Sequence, residues 1–310
     1  MAGVAVGSGW ALRGVSTRVR DREERLPPPS TLDNHCPGTL CCISAIPFIM
    51  TLFPGVALVT GAASGIGKQV AISFAAEGCR KVALLDRDVP ALEDTKARAE
   101  AAAPEGVEIL SLAVDVLDEG DIEAAFDQVI GKFGRVDYAV NCAGIYRTDK
   151  VSHELSPAEF DNIMGINTRG LWLCSRQALK HMVSQEPLPT HDGRPGNRGS
   201  VVNISSNLGI VSKEGSPAYN ASKTAIVSLT RSDAIDYAPH NIRVNCVCPG
   251  IIDTPLTADI PEDSPGVLTA PMKRKGTPQE VADAVLFLSN PKASFILGAN
   301  LLVDGGYVIH

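Results

Sequence analysis

From residue 56 to the C-terminus, short apolar runs rich in β-branched residues alternate with segments of helix length. This alternation constrains the fold more than any other feature of the chain. The runs fall at 56–60, 81–85, 108–114, 136–141, 200–205, 242–247 and 299–303. They are apolar on both alternate faces, as strands buried on both sides must be. Between them, 68–77 places Val70, Ala71, Phe74 and Ala75 at a helical period, and 121–133 does the same with Ile122, Ala125, Phe126, Val129 and Ile130. Segment 90–103 is rich in alanine and charge, as an exposed helix would be. Strand-helix alternation of this kind predicts an α/β domain, a doubly wound parallel sheet with helices on both faces. Residues 184–199, rich in Pro, Gly and polar side chains, read as a surface loop inserted before the fifth run.

Residues 1–53 read differently. Arg13, Arg18 and Arg20 occur with no acid before Asp21, a composition shared with mitochondrial transit peptides. Asp21, Glu23 and Glu24 follow at once, and Pro27-Pro28-Pro29 would break a helix. No Asp, Glu, Lys or Arg lies between Cys36 and Gly67, but Pro47 and Pro54 cut the apolar stretch below the ~20 residues a membrane span needs. The expected organisation is an N-terminal extension over 1–53 and a catalytic domain over 54–310. The extension is a leader or disordered segment, with Met50 as the true start, or a targeting peptide, or an ordered structural arm.

The net charge of −7, from 28 basic and 35 acidic residues, argues against nucleic acid as a partner. The one basic run, Lys273-Arg274-Lys275, reads as a solvated turn. The eight cysteines show neither CxxC pairs nor zinc spacing, so they are expected as buried thiols in a reducing, cytoplasmic compartment, with no metal site. His153, His181, His191 and His240 read as solvated.

The first apolar run leads directly into Thr60-Gly61-Ala62-Ala63-Ser64-Gly65-Ile66-Gly67 and then a helix. Glycines at such a turn let backbone N–H groups approach a pyrophosphate, and the helix N-terminus favours the anion. No Lys-Ser/Thr follows in the spacing of a nucleotide triphosphatase. The second run ends in Asp86-Arg87. An acid there can accept the adenosine ribose hydroxyls and repel a 2′-phosphate, favouring NAD, whereas Arg87 would accommodate NADP.

Tyr219 and Lys223 lie four residues apart and share a helix face. A phenol of pKa near ~10 is a poor base at neutral pH, and a nearby ammonium lowers that value. The pair therefore suits proton exchange with an alcohol or carbonyl oxygen. Ser206, thirteen residues before Tyr219 at a strand end, can hold the same oxygen.

Taken together these motifs resemble the short-chain dehydrogenase/reductase family over roughly residues 54–310. The glycine string matches the family's TGxxxGxG, and Asp115-Val116 its adenine-contacting acid. Asn141-Cys142-Ala143-Gly144 matches NNAG, with Cys in place of the second Asn. Ser206, Tyr219 and Lys223 match its serine, tyrosine and lysine, and Asn167 its helix asparagine. Pro249-Gly250 with Ile252 and Thr254 matches the loop beside the nicotinamide, and Asp304-Gly305-Gly306 the C-terminal DGG.

The resemblance implies a single Rossmann-like domain and hydride transfer between a nicotinamide cofactor and a secondary alcohol or ketone. In that scheme Tyr219 exchanges the proton and Ser206 positions the oxygen. Lys223 lowers the tyrosine pKa and holds the ribose, and Asn167 keeps a water in the relay. Gly61, Ser64, Gly65, Ile66, Gly67, Asp86, Arg87, Asp115, Val116, Asn141, Ala143, Gly144, Tyr219, Lys223, Pro249, Gly250, Ile252 and Thr254 would contact the cofactor. A homotetramer or homodimer is implied, built through the helices that follow Asn167 and Tyr219. Substrate candidates are Tyr146, Leu208 and the segment 256–269. No anion clamp stands in that segment, so a neutral substrate is expected. Two alternatives remain: a catalytically inactive NAD(P)-binding sensor or scaffold, and a related epimerisation or dehydration.

Overall fold

In the computed structural model, which describes residues 51–104, 106–146 and 150–309, the apolar runs become seven parallel strands: β1 (Val56–Thr60), β2 (Lys81–Asp86), β3 (Glu108–Ala113), β4 (Tyr138–Asn141), β5 (Gly199–Ile204), β6 (Ile242–Pro249) and β7 (Asn300–Val303). Their order is β3-β2-β1-β4-β5-β6-β7. The chain therefore winds outward one way from β1 to β3, then returns to the other side of β1 with β4. Helices α1 (Gly65–Ala76), α2 (Val89–Ala102), α3 (Glu119–Phe133), α4 (Pro157–Met164), α5 (Leu171–Met182), α6 (Pro217–Tyr237), α7 (Pro265–Thr269) and α8 (Pro278–Ser289) make the connections. The expected fold class is the one observed.

Two apolar layers follow from this wrapping. On one face of the sheet, Ala57, Val59, Val82 and Leu84 pack with Val70 and Phe74 of α1 and Val281 and Val285 of α8. On the other, Leu58, Ala83 and Leu85 pack with Ile122, Phe126 and Val129 of α3 and Leu173 and Leu179 of α5. Successive side chains of β1 thus enter opposite layers, the period of two that a strand dictates.

The boundary expected at 53/54 falls inside packed structure. Phe53 is fully buried and meets Phe74 and Tyr138 edge-on, with ring centroids 5.1 and 5.4 Å apart. The readings placed on residues 1–50, including the Met50 start and the transit-like segment, lie outside the described residues. No helix among the described residues is long and apolar enough to cross a membrane.

Other expectations change where tertiary contacts decide. His181 is not solvated: it is half-buried and stacks on Phe126, and burial pulls its pKa down. In the basic run, Lys275 is buried and donates from Nζ to the Thr257 carbonyl at 3.3 Å. Segment 184–199 is a surface connection, yet it is tied down at the start of the strands. Gln185 exchanges two hydrogen bonds with the Val136 backbone, and Arg198 reaches the Val183 carbonyl. The five described cysteines are free, and Cys246 and Cys248 lie side by side on one face of β6 with sulfurs 3.8 Å apart.

Candidate active site

A parallel sheet whose winding reverses between β1 and β4 leaves a crevice beyond the C-terminal ends of those strands, because their crossover helices depart to opposite faces. A cleft of about 920 Å³ opens there. One wall is the turn from β1 into α1. Gly61 has φ +67°, and a Cβ on it would sit 2.7 Å from the Ala143 nitrogen. A Cβ on Gly67 would sit 2.2 Å from the Gly61 carbonyl oxygen. Only glycine lets this turn close so tightly that Ser64, Gly65 and Ile66 bring the N-terminus of α1 to the cleft wall. Thr60 braces the turn from below, its Oγ1 accepting from the Cys142 and Ala143 nitrogens at 3.1 and 3.2 Å.

Asp86 closes the next side. Its Oδ2 accepts from the Ala63 nitrogen at 3.0 Å and its Oδ1 from the Asp88 nitrogen at 3.1 Å, so the carboxylate is fixed at the rim. Arg87, Asp115 and Val116 line the same end. Ala143 and Gly144, then Pro249, Gly250, Ile252 and Thr254, form the floor and far wall. A dinucleotide fits this donor set: a glycine cradle that a Cβ would fill, a helix N-terminus, and a fixed carboxylate beyond it.

Asn141 is the exception among the expected cofactor residues. It is buried in the sheet, away from the cleft lining, and its Nδ2 donates to Ser175 Oγ and Asn203 Oδ1, both at 2.9 Å. It joins β4, β5 and α5 instead. The last residue of a central strand points either into the crevice or into the layer below, and here the register sends it below.

At the other half of the cleft stand Ser206, Tyr219 and Lys223. Ser206 follows β5, and α6 carries both Tyr219 and Lys223 on its buried face. Adjacent serines are separated by their partners. Ser205 Oγ donates to the Lys223 carbonyl at 2.7 Å and pins α6 to the strand, whereas Ser206 lies beside the Tyr219 phenol and donates to Asn207 Oδ1 at 3.1 Å. Asn207 orients the serine and had no signal in the sequence beyond its position.

Asn167 sits in a π-helical stretch, Gly165–Gly170, between α4 and α5. The widened turn aims its side chain at the chain following β4. Oδ1 accepts from the Ile145 nitrogen at 2.8 Å, and Nδ2 donates to the Ile145 carbonyl at 3.0 Å and to Ser222 Oγ at 3.1 Å. It is fully buried behind the cleft rather than on its surface. Gly144 is the spacer: a Cβ there would lie 3.2 Å from Asn167 Oδ1 and 3.5 Å from Lys223 Nζ.

Burial pushes the Tyr219 phenol above its ordinary value, with the Ser206 hydroxyl pulling against it. Burial pulls Lys223 below its own. The Lys223 ammonium lies 5.7 Å from the Tyr219 ring centroid and donates to the Ile204 carbonyl at 3.0 Å.

A family model described as enoyl-(acyl carrier protein) reductase matches residues 61–308. "Short-chain dehydrogenase fogB" of Aspergillus ruber is 38% identical over 262 residues, covering 81% of this chain and 96% of that one. The chain is a short-chain dehydrogenase/reductase. This dehydrogenase/reductase is also similar to "2-(R)-hydroxypropyl-CoM dehydrogenase" of Xanthobacter autotrophicus, 41% identical over 258 residues, covering 81% of this chain and 98% of that one. Among solved structures, the 3-ketoacyl-(acyl-carrier-protein) reductase of Brucella melitensis complexed with NADH superposes with a TM-score of 0.74 at 34% identity, covering 83% of this chain and 99% of that one. Membership makes this short-chain dehydrogenase/reductase an oxidoreductase.

Proposed function

We propose that the enzyme interconverts a secondary alcohol and its ketone, with NAD(H) as the preferred cofactor. The observation that carries this reading is that Ser206 and Tyr219 both line the glycine-walled cleft at the point where the sheet reverses. The bound nicotinamide supplies or accepts the hydride. The chain's own residues handle the oxygen. In reduction, the neutral Tyr219 phenol gives its proton to the carbonyl oxygen while Ser206 donates a hydrogen bond to it. In oxidation, the tyrosinate takes the proton of the hydroxyl. Lys223 would hold the nicotinamide ribose, and Asn167 holds Ile145 and Ser222 in place. The family model's description names reduction of a carbon-carbon double bond, but two adjacent hydroxyls suit an oxygen carried on the reacting carbon.

Asp86 supports NAD over NADP, since its fixed carboxylate would repel a 2′-phosphate. The NADH complex of the Brucella reductase is consistent with that preference. Exposed apolar side chains on α4, α5 and α8, including Phe160, Trp172 and Phe287, support a homodimer or homotetramer. The free thiols fit a cytoplasmic setting. Parallel fluorescence titration with NADH and NADPH tests the core of this reading. Tighter NADH binding is expected. Tighter NADPH binding would transfer the preference to Arg87, and binding of neither to folded protein would refute the assignment.

A further inference from the structure

Six charged side chains among the described residues line the cleft, and they are unevenly placed. Asp86, Arg87, Asp88 and Asp115 cluster where β2 and β3 end, on the side suited to adenosine. Lys223 and Lys213 occupy the half with Ser206 and Tyr219. Lys223 is buried and committed to the Ile204 carbonyl.

Lys213 is different. It lies on the connection between Ser206 and α6, exposed to solvent at the cleft mouth. Its Nζ donates to Tyr146 Oη at 3.3 Å and stands 6.0 Å from that ring's centroid. Tyr146 in turn meets Tyr219 edge-on, with ring centroids 4.7 Å apart. A chain of contacts thus runs from the proton-exchanging phenol outward to an ammonium. No carboxylate among the described residues comes within 4.0 Å of that ammonium. The same cleft is lined by the apolar side chains of Leu208, Leu256, Ile260 and Pro265.

Resting on the dehydrogenase reading above, we propose that Lys213 is a specificity-determining residue that pairs with a carboxylate at the end of the substrate remote from the reacting carbonyl. The substrate class is then a keto acid, or hydroxy acid, with an apolar body between its two oxygen functions. The segment 256–269 by itself points to an uncharged substrate, and Lys213 lies outside that segment. A cation whose bonded neighbour is a phenol keeps donors to spare for an anion. The reacting centre is unchanged: the carbonyl carbon gains the hydride, and its oxygen gains the Tyr219 proton.

Binding separates this proposal from its parent. With the protein saturated by NADH, hexanoate and hexanamide are titrated at constant ionic strength, following nicotinamide fluorescence. The carboxylate is expected to bind about fivefold more tightly than the amide, the scale of one partly exposed ion pair. The preference should fall to about one in Lys213→Met and return in Lys213→Arg. Equal binding of the two probes by the wild-type protein, or a preference that survives Lys213→Met, would overturn the role of Lys213 while leaving the dehydrogenase reading intact. Failure of NADH itself to bind would overturn that reading, and this one with it.

Discussion

The two ends of the sheet use polar groups in opposite ways. At the end where the strands begin, polar side chains close on protein. Asp137 accepts from the Val56 nitrogen at 2.8 Å and pairs with Arg135 at 2.8 Å. Arg243 donates to the carbonyls of Leu288, Ser289 and Asn290, closing the C-terminus of α8. Burial still pushes the Asp137 carboxyl upward, with Arg135 pulling against it. At the end where the strands finish, the N-terminus of α1 lines a cleft together with Ser206 and Tyr219. One end holds the sheet together, and the other keeps hydrogen-bonding capacity for a guest. Binding sites gather at strand ends because the winding reverses there, but only one end of each strand can serve.

The comparison can be broken most forcefully at the catalytic end. Tyr219→Phe should lower turnover by about 10²–10⁴-fold, the usual worth of a positioned proton donor. NADH binding and thermal stability should stay near wild type. A variant retaining more than a tenth of wild-type turnover would remove Tyr219 from proton exchange.

Arg135→Ala makes the reverse demand. It leaves the Asp137 carboxylate buried with one partner lost, and should cost about 3 kcal/mol of unfolding free energy, measured by urea titration. The KM and kcat of the folded fraction should not move. A changed KM would mean that the two ends are coupled through the sheet.

The smallest effect sharpens the chemistry of the cleft itself. Burial raises the Tyr219 pKa, so the phenol is protonated at neutral pH and the tyrosinate forms only under alkaline conditions. Alcohol oxidation should therefore accelerate as pH rises, while ketone reduction is sustained at neutral pH and falls off in alkali. Oxidation that is flat from neutral to alkaline pH would show that bound cofactor brings the phenol back down.

Much of this was legible in the chain. Parallel strands buried on both faces leave continuous apolar runs, and the glycine turn has few structural uses between a strand and a helix. All seven strands therefore appear within two residues of where periodicity places them. Both Ser205 and Ser206 line the cleft, and their hydrogen-bond partners are what distinguish them. What stayed illegible depends on distant partners. Asn141 was expected at the cofactor because it belongs to a motif, yet which way a strand's last side chain turns is set by Asn203 and Ser175, far along the chain. His181 and Lys275 have nothing in their local sequence to say that Phe126 or the Thr257 carbonyl will cover them. Lys213 lies between two recognised motifs but belongs to neither, and only the fold brings it to Tyr146.

The reversal of winding beside β1 has a consequence for how the protein is made. Leu58 pairs with Ala83 on one side and Ala139 on the other, so β1 gains its second neighbour only after three crossovers have been synthesised. While a nascent chain emerges, β1, β2 and β3 can assemble, but β1 still presents an unpaired apolar edge until β4 arrives. That edge adjoins the future cleft. β2 is flanked on both sides once β3 pairs with it, whereas the strand most central to function waits for β4 before its second edge is protected from association with other chains, an interval that follows the pace of translation.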